Sequence, residues 1–204
     1  LIPSLRALGV RPDLLLLSHR DTDHIGGAAA LLAWQPDLAL ISSLESDHPV
    51  LRGRAEHRPC RAGQRWHWDG VDFEMLHPSD EFAAGMHKPN ALSCVLRVVG
   101  AAGQGRALLV GDLEARQEAL LAQSGDLRAD LLMAPHHGSR TSSSLALLDA
   151  VRPRWVLVQA GYRNRFGHPA AEVMARYEHQ GLWVAQSASC GAATWRSEEP
   201  EQVL

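Results

Sequence analysis

The sequence is poor in the features that would mark a membrane span, a disulfide scaffold or a strongly cationic surface. No apolar run nears the roughly 18 residues that a membrane-spanning helix needs. Cysteine is scarce: Cys60, Cys94 and Cys190 are far apart and form no CxxC pair. An odd, scattered set of that kind argues against a disulfide framework or a zinc ribbon and predicts free, partly buried thiols. Positive charge is not in excess, since Lys+Arg 20 against Asp+Glu 23 gives a formal net charge of −3. No global field therefore favours nucleic acid, although a local basic stripe can. The opening LIPSLRALGV has neither Met nor a charged segment ahead of a hydrophobic stretch, so the expectation is a fragment of a longer protein and not a secretory leader.

What is present is an ordinary globular composition. The 204 residues are 46% hydrophobic and 21% charged, enough for one domain, 1–204, burying roughly 70% of its unfolded surface. Disorder, collagen and coiled coil are excluded. Strand-length apolar runs alternate with helical patterns, with no internal repeat and no long linker. Expected strands are Asp13 to Ser18, Leu38 to Ile41, Val71 to Leu76, a hairpin of Ser93 to Val99 with Arg106 to Gly111, Asp130 to Ala134, Trp155 to Gln159 and Trp183 to Gln186. Expected helices are Pro3 to Gly9, Ile25 to Trp34, Leu113 to Gln123, Leu145 to Val151 and Ala170 to His179. The mixture of hairpins and crossover helices predicts a layered α/β sandwich. Glu45 to Trp68 reads as an irregular excursion, and the six tryptophans read mostly as core, with Trp66 and Trp68 open to exposure.

Histidine and carboxylate concentrate where strands end: SHRDTDHIGG (18–27), VGDLE (110–114), MAPHHGSRTSSS (133–144) and NRFGHP (164–169). Strand ends are where α/β folds gather their sites. His19, Asp21, Asp23 and His24 directly after a buried apolar strand are costly unless something ionic is bound. Alternate residues at an extended strand end share a side, which suits two adjacent metal ions. Asp112 alone reads as a helix cap; beside that cluster it reads as a carboxylate that bridges two cations with its two oxygens. His136 and His137 should diverge, at most one facing the metals, with the other packing or capping; the one that faces in could bind metal or phosphate or protonate a leaving oxygen. Ser139, Thr141 and Ser142 to Ser144 lead into a helix N-terminus, where backbone N–H groups favour a phosphate and serines are equally plain caps. Arg140, Arg163, Asn164 and Arg165 share the last two loops and are candidates for contacts to a nucleic-acid backbone. His48, His57, His67 and His179 lack ligand spacing.

HRDTDH followed by GG, a strand-terminal GD and a downstream GHP resemble the metallo-β-lactamase superfamily of di-metal hydrolases. More narrowly, SHRDTDHIGG, LHP (76–78), LVGDLE, APHHGSRTSSS and NRFGHP, in this order, resemble the C-terminal domain of ComEC-type competence DNA-uptake channel proteins. The resemblance implies a four-layer αββα sandwich lacking its first strands here. It places metal ligands at His19, Asp21, Asp23, His24, Asp112 and His168, and the middle histidine slot near Asn90, with His87 and His77 as substitutes. Its division is His19, Asp21 and Asn90 at one ion, and Asp23, His24, Asp112 and His168 at the other. Oxygen in place of imidazole at Asp21 and Asn90 hardens the site, favouring Mn²⁺ with Zn²⁺ or Mg²⁺ as alternatives.

The expected reaction is hydrolysis of a DNA phosphodiester, with Asp21, Asp112 and His137 catalytic and His136, Ser139, Arg140, Thr141, Asn164 and Arg165 near the substrate. The resemblance also implies single-stranded DNA as partner, degradation of the strand that is not imported, and an upstream membrane channel in the same polypeptide. It tethers the domain to the bacterial inner membrane, facing the periplasm, and it calls for no small organic cofactor. The rivals are a glyoxalase-type (thio)ester hydrolase and a catalytically silent DNA-binding module.

Overall fold

A computed structural model describes residues 1–54, 56–83 and 88–204. After helix α1 (Ile2–Ala7) comes β1 (Leu14–Leu17), then α2 (Thr22–Ile25), α3 (Ala28–Trp34), β2 (Ala39–Ser42) and β3 (His57–Pro59). These three strands form a parallel sheet in the order β1-β2-β3. The second sheet begins with β4 (Arg65–Trp68) and β5 (Val71–His77), passes helix α4 (Asp80–Ala83), and continues with β6 (Val95–Val99) and β7 (Arg106–Leu109). It is completed by α5 (Ala115–Ala122), β8 (Leu131–Met133), α6 (Leu145–Val151), β9 (Trp155–Val158), α7 (Ala171–His179) and β10 (Trp183–Gln186), with α8 (Ser187–Cys190) following. Its seven strands run β10-β9-β8-β7-β6-β5-β4, antiparallel from β4 to β7 and parallel from β7 to β10.

The four leucines of β1 are apolar on both faces because both faces are covered. Leu14 and Leu16 pack with Ile41, Met75 and Cys94 between the sheets, while Leu15 and Leu17 turn toward α3 and its neighbours. On the far side of the second sheet, Leu108, Leu132, Val156 and Val158 meet Leu121, Leu147, Leu148, Val173 and Tyr177 from α5, α6 and α7. The layers are therefore helix, sheet, sheet, helix, the four-layer sandwich that the family resemblance implies.

Four expectations need correction. The stretch Glu45 to Trp68 holds two strands, β3 and β4, whose charged and exposed residues carry no apolar alternation. The helix expected over Ile25 to Trp34 is divided at Gly26 and Gly27 into α2 and α3. None of the tryptophans is fully buried: Trp68 and Trp183 are exposed and the other four are half-buried, with Trp34 and Trp66 packed against the margins of the core. Cys60 and Cys94 are not free thiols but a disulfide across 34 residues, with only Cys190 unpaired. Sequence spacing is silent on this pairing because Cys60 follows β3 in one sheet and Cys94 precedes β6 in the other, and only the stacking of the sheets brings them together.

Closing a loop of that length constrains the unfolded chain by roughly 2–4 kcal/mol. Reductant, or Cys60→Ser with Cys94→Ser, is expected to lower the melting temperature by several degrees, to an upper limit of roughly 15 °C. A melting curve unmoved by dithiothreitol would show that the bridge contributes nothing.

Candidate metal centre

Three segments leave parallel strands at one edge of the second sheet: Val110 to Asp112 after β7, Ala134 to Gly138 after β8, and Gln159 onward after β9. The segment after β1 meets them from the other sheet, where the Cys94 N–H donates to the Ser18 carbonyl at 2.9 Å. This approach depends on Gly111, whose φ is +55° and where a Cβ would stand 2.8 Å from Ser93 Cβ and 3.2 Å from Ser18 Cβ. Gly138, φ +80°, likewise has no room for a Cβ against Pro169, so the loop after β8 lies directly on the loop after β9.

Asp112 sits at the centre, its side chain 5% exposed, and its two oxygens look in different directions. Oδ1 is 3.1 Å from His24 Nε2 and 3.7 Å from His137 Nε2; His137 Nε2 is in turn 3.2 Å from Asp23 Oδ2. Oδ2 is 3.8 Å from His19 Nε2 and 3.6 Å from His136 Nε2, and His19 Nε2 is 3.6 Å from Asp21 Oδ2. Ligands held 2.0–2.1 Å from a tetrahedral ion lie about 3.4 Å from one another, which is the scale of these gaps. Asp23, His24, Asp112 and His137 form the tighter set, with all ligand atoms within 4.8 Å; the set on Oδ2 is more open. His19 Nε2 is buried without a hydrogen-bond partner among the described residues, a costly state for an imidazole nitrogen and one that a cation would relieve. These residues therefore fit divalent metal.

The surrounding contacts hold the rings with Nε2 inward. Ser18 Oγ lies 3.0 Å from His19 Nδ1 and 3.1 Å from His24 Nδ1, and Ser93 Oγ accepts from the Asp112 N–H at 3.0 Å while standing 3.3 Å from His19 Nδ1. His137 Nδ1 donates to the Gln159 carbonyl at 2.7 Å, which leaves the Nε2 lone pair free for a ligand. Burial would push Asp112 up, but the hydrogen bond from His24 and the nearby His24, His137 and His136 hold it below the usual carboxylate range. Burial and the neighbouring His24 push His19 down, against the pull of Asp112 and Asp21. Burial disfavours charge on His24 too, yet the hydrogen bond and charge of Asp112 outweigh it and raise its pKa. The carboxylate thus draws positive charge to the side where its ligands are tightest.

The structure brings His19, Asp21, Asp23, His24 and Asp112 together, and it adds both His136 and His137. The expectation that these two diverge, with at most one facing in, is corrected: φ of +49° and +55° at the pair turns both rings onto the same carboxylate, one to each oxygen. Left-handed backbone at two successive non-glycine residues is strained and persists only where surrounding structure imposes it. His168 does not join Asp23 and His24; its ring lies 5.7 Å from that of His136, beside the other half of the cluster. Asn90 lies in the turn Pro89–Leu92, where its carbonyl accepts from the Ser93 N–H, and no described contact carries its side chain to the cluster. His77 Nδ1 donates to the Ser93 carbonyl at 2.8 Å, and His87 lies outside the described residues. Asp112 is not a helix cap, since α5 begins after Glu114.

The serine-rich loop is also not an open phosphate cradle. The N–H groups of Ser143 and Ser144 donate to the two oxygens of Glu118 at 2.6 and 2.7 Å, so a buried carboxylate already occupies that place. Ser139 is buried against Thr141, whose hydroxyl donates to Glu114 Oε1. The Asn164 side chain spends its hydrogen bonds inside its own loop. Arg140, Arg163 and Arg165 are exposed.

Residues 2–157 match the family model described as the metallo-beta-lactamase superfamily. The chain belongs to that superfamily. It is 40% identical over 195 residues to Competence protein ComA of Neisseria gonorrhoeae, covering 94% of this chain and 26% of that protein. It is 34% identical over 191 residues to Recombination protein 2 of Haemophilus influenzae, covering 94% and 23%. The chain thus spans about a quarter of the length of these relatives. Among solved structures it is similar to an isothiocyanate hydrolase from Delia radicum gut bacteria, with TM-score 0.52 and 17% identity over 85% of this chain and 73% of that one. It is also similar to CmlA, a diiron β-hydroxylase from Streptomyces venezuelae, with TM-score 0.57 and 10% identity over 87% and 44%. At such identities the likeness speaks to the fold alone. Members of the superfamily bind divalent metals, typically two, in keeping with a carboxylate whose oxygens face two sets of imidazoles.

Several residues that hold this superfamily site together carry no sequence signal as ligands: Ser93, Glu114, Glu118 and the Gln159 carbonyl. Glu118 is the most consequential. With Tyr177, whose hydroxyl contacts Ser143 Oγ, and Arg176, which donates to the Ser142 and Ser143 carbonyls, it clamps the loop that presents both histidines. Burial pushes Glu118 up and Tyr177 up to about 12, so the phenol stays protonated. Glu118→Ala leaves the buried Ser143 N–H and the half-buried Ser144 N–H unpaired and is expected to cost about 1–4 kcal/mol. Thermal melting and Mn²⁺ titration check this; unchanged stability together with unchanged metal affinity would refute the clamp.

Proposed function

We propose that this chain is the metal-dependent phosphodiesterase domain of a longer membrane-tethered DNA-uptake protein, and that it degrades the strand that is not imported. The observation that carries the reading is the two-sided Asp112, with His24 and His137 on one oxygen and His19 and His136 on the other. Bound divalent ions supply Lewis acidity that acidifies an attacking water and offsets charge on the phosphoryl oxygens. Each half of the cluster offers two imidazole nitrogens besides carboxylate oxygen, a mixed donor set that suits Zn²⁺ as well as Mn²⁺ and suits Mg²⁺ least.

The chain's own groups orient the reaction. Asp21 and Asp23 are about half exposed at the mouth of the site, and in this reading they meet the substrate first and Asp21 accepts a proton. Exposed Arg140, Arg163 and Arg165 offer phosphate contacts along the strand. The names of the relatives, a competence protein and a recombination protein, support DNA as the substrate. The Cys60–Cys94 disulfide supports an oxidising compartment such as the bacterial periplasm. No helix among the described residues is long and apolar enough to cross a membrane, and this reading assigns the tether to the part of the relatives' length that the chain does not span. The reading takes residues 1–204 as one domain of that protein.

Labelled single-stranded DNA is expected to be cleaved in Mn²⁺ and spared in EDTA. Asp112→Ala is expected to lower the rate by more than roughly 100-fold, with circular dichroism confirming the fold. Equal cleavage by the variant, or none by a metal-loaded chain, would sink the assignment.

A further inference from the structure

We infer that the loop after β9 carries a base-stacking ledge for single-stranded DNA, built from Tyr162 and Phe166 with Arg163 and Arg165 between them. The inference rests on the phosphodiesterase reading for the place of the scissile bond. The chain contains two tyrosines and three phenylalanines. One of each stands in this five-residue stretch, with Tyr162 72% and Phe166 65% exposed, whereas Tyr177 is fully buried. A single exposed aromatic is unremarkable, but two in one loop beside the candidate metal cluster leave most of their ring surface open to solvent.

The rings are paired with cations. The Arg163 guanidinium lies 5.2 Å from the Tyr162 ring centroid and that of Arg165 4.8 Å from Phe166. No carboxylate occurs from Gln159 to Ala170, so this segment is cationic within a chain of net negative charge. The alternation of ring and guanidinium matches a strand whose unpaired bases offer π-faces and whose phosphates offer charge. In a duplex those base faces are covered by their neighbours, so the ledge selects unpaired bases.

The ledge is held firmly and close to the chemistry. Asn164 Oδ1 accepts from the N–H groups of Phe166 and His168, and Asn164 Nδ2 donates to the carbonyls of Gly161 and His168. Phe166 stacks on His168, with ring centroids 5.7 Å apart and planes 17° apart. His168 in turn faces the ring of His136, whose Nε2 is 3.6 Å from Asp112 Oδ2. A nucleotide stacked on Phe166 is thereby placed within a few side chains of the metal ligands, adjoining the phosphodiester to be cut.

Loss of a base–aromatic stack weakens binding roughly 5- to 150-fold. The test is fluorescence anisotropy in EDTA with three probes: a labelled oligo-dT, an abasic oligomer of equal length, and a blunt duplex. The unaltered chain is expected to bind oligo-dT most tightly. Tyr162→Ala with Phe166→Ala is expected to weaken oligo-dT binding by at least about 10-fold and to leave abasic binding unchanged. Arg163→Ala with Arg165→Ala should weaken both single strands. Phe166→Leu, which keeps apolar bulk and removes the π-face, should behave as Phe166→Ala. Equal affinity of the unaltered chain for oligo-dT and the abasic oligomer, duplex binding as tight as single strand, or restoration by leucine would overturn the ledge. Turnover of bis(p-nitrophenyl) phosphate by the unaltered chain in Mn²⁺ tests the phosphodiesterase reading separately, since it requires no nucleobase.

Discussion

A buried carboxylate with imidazoles around both oxygens is the constraint on which the rest of this molecule turns. Asp112 lies at the junction of two sheets, and its charge would be intolerable there without cationic partners or metal. The segment after β7 carries it, and the segments after β1 and β8 bring imidazoles to it, each from the C-terminal end of a strand. Within the second sheet that common polarity follows from the parallel pairing of β7 and β8. The hydrophobic layers thus fix the positions of polar groups that would not gather unaided.

Around this carboxylate stands a second set of polar residues whose task is orientation. Ser18 and Ser93 touch the outer nitrogens of His19 and His24, and the Gln159 carbonyl accepts a hydrogen bond from His137 Nδ1. Glu118, on α5, ties down the loop of α6 through main-chain N–H groups. The strain at His136, His137 and Ser143, all with positive φ, is therefore borne by a buried hydrogen-bond network that lies on the helical side of the sheet. The geometry of the Asp112 cluster and the packing of the core are one structure here.

Much of the fold was legible in the sequence. The apolar quartet Leu14–Leu17 announced a strand covered on both faces, and the turn GAAGQG announced the hairpin of β6 and β7. Helix α6 and strand β10 fall on the boundaries that the pattern predicts. Strands β3 and β4 were hidden because charged and aromatic residues interrupt their alternation. The convergence of HRDTDH on the aspartate of GD was legible because consecutive polar residues after an apolar strand need a reason. The roles of His136 and His137 were not, since they depend on left-handed backbone that residue type does not announce. Nor was the Cys60–Cys94 bridge, because pairing between sheets is a property of how layers stack.

The adjacency of His136 and His137 also has a mechanical meaning. Opposite oxygens of Asp112 are addressed by neighbouring residues, so the two halves of the centre are joined by one peptide unit, with about 3.8 Å between successive Cα atoms. Their spacing is thus set by covalent geometry, which does not stretch when the sandwich breathes or a loop shifts. The backbone acts as a ruler at this point, and a single inserted residue would put the two halves out of step while leaving every layer of the fold intact.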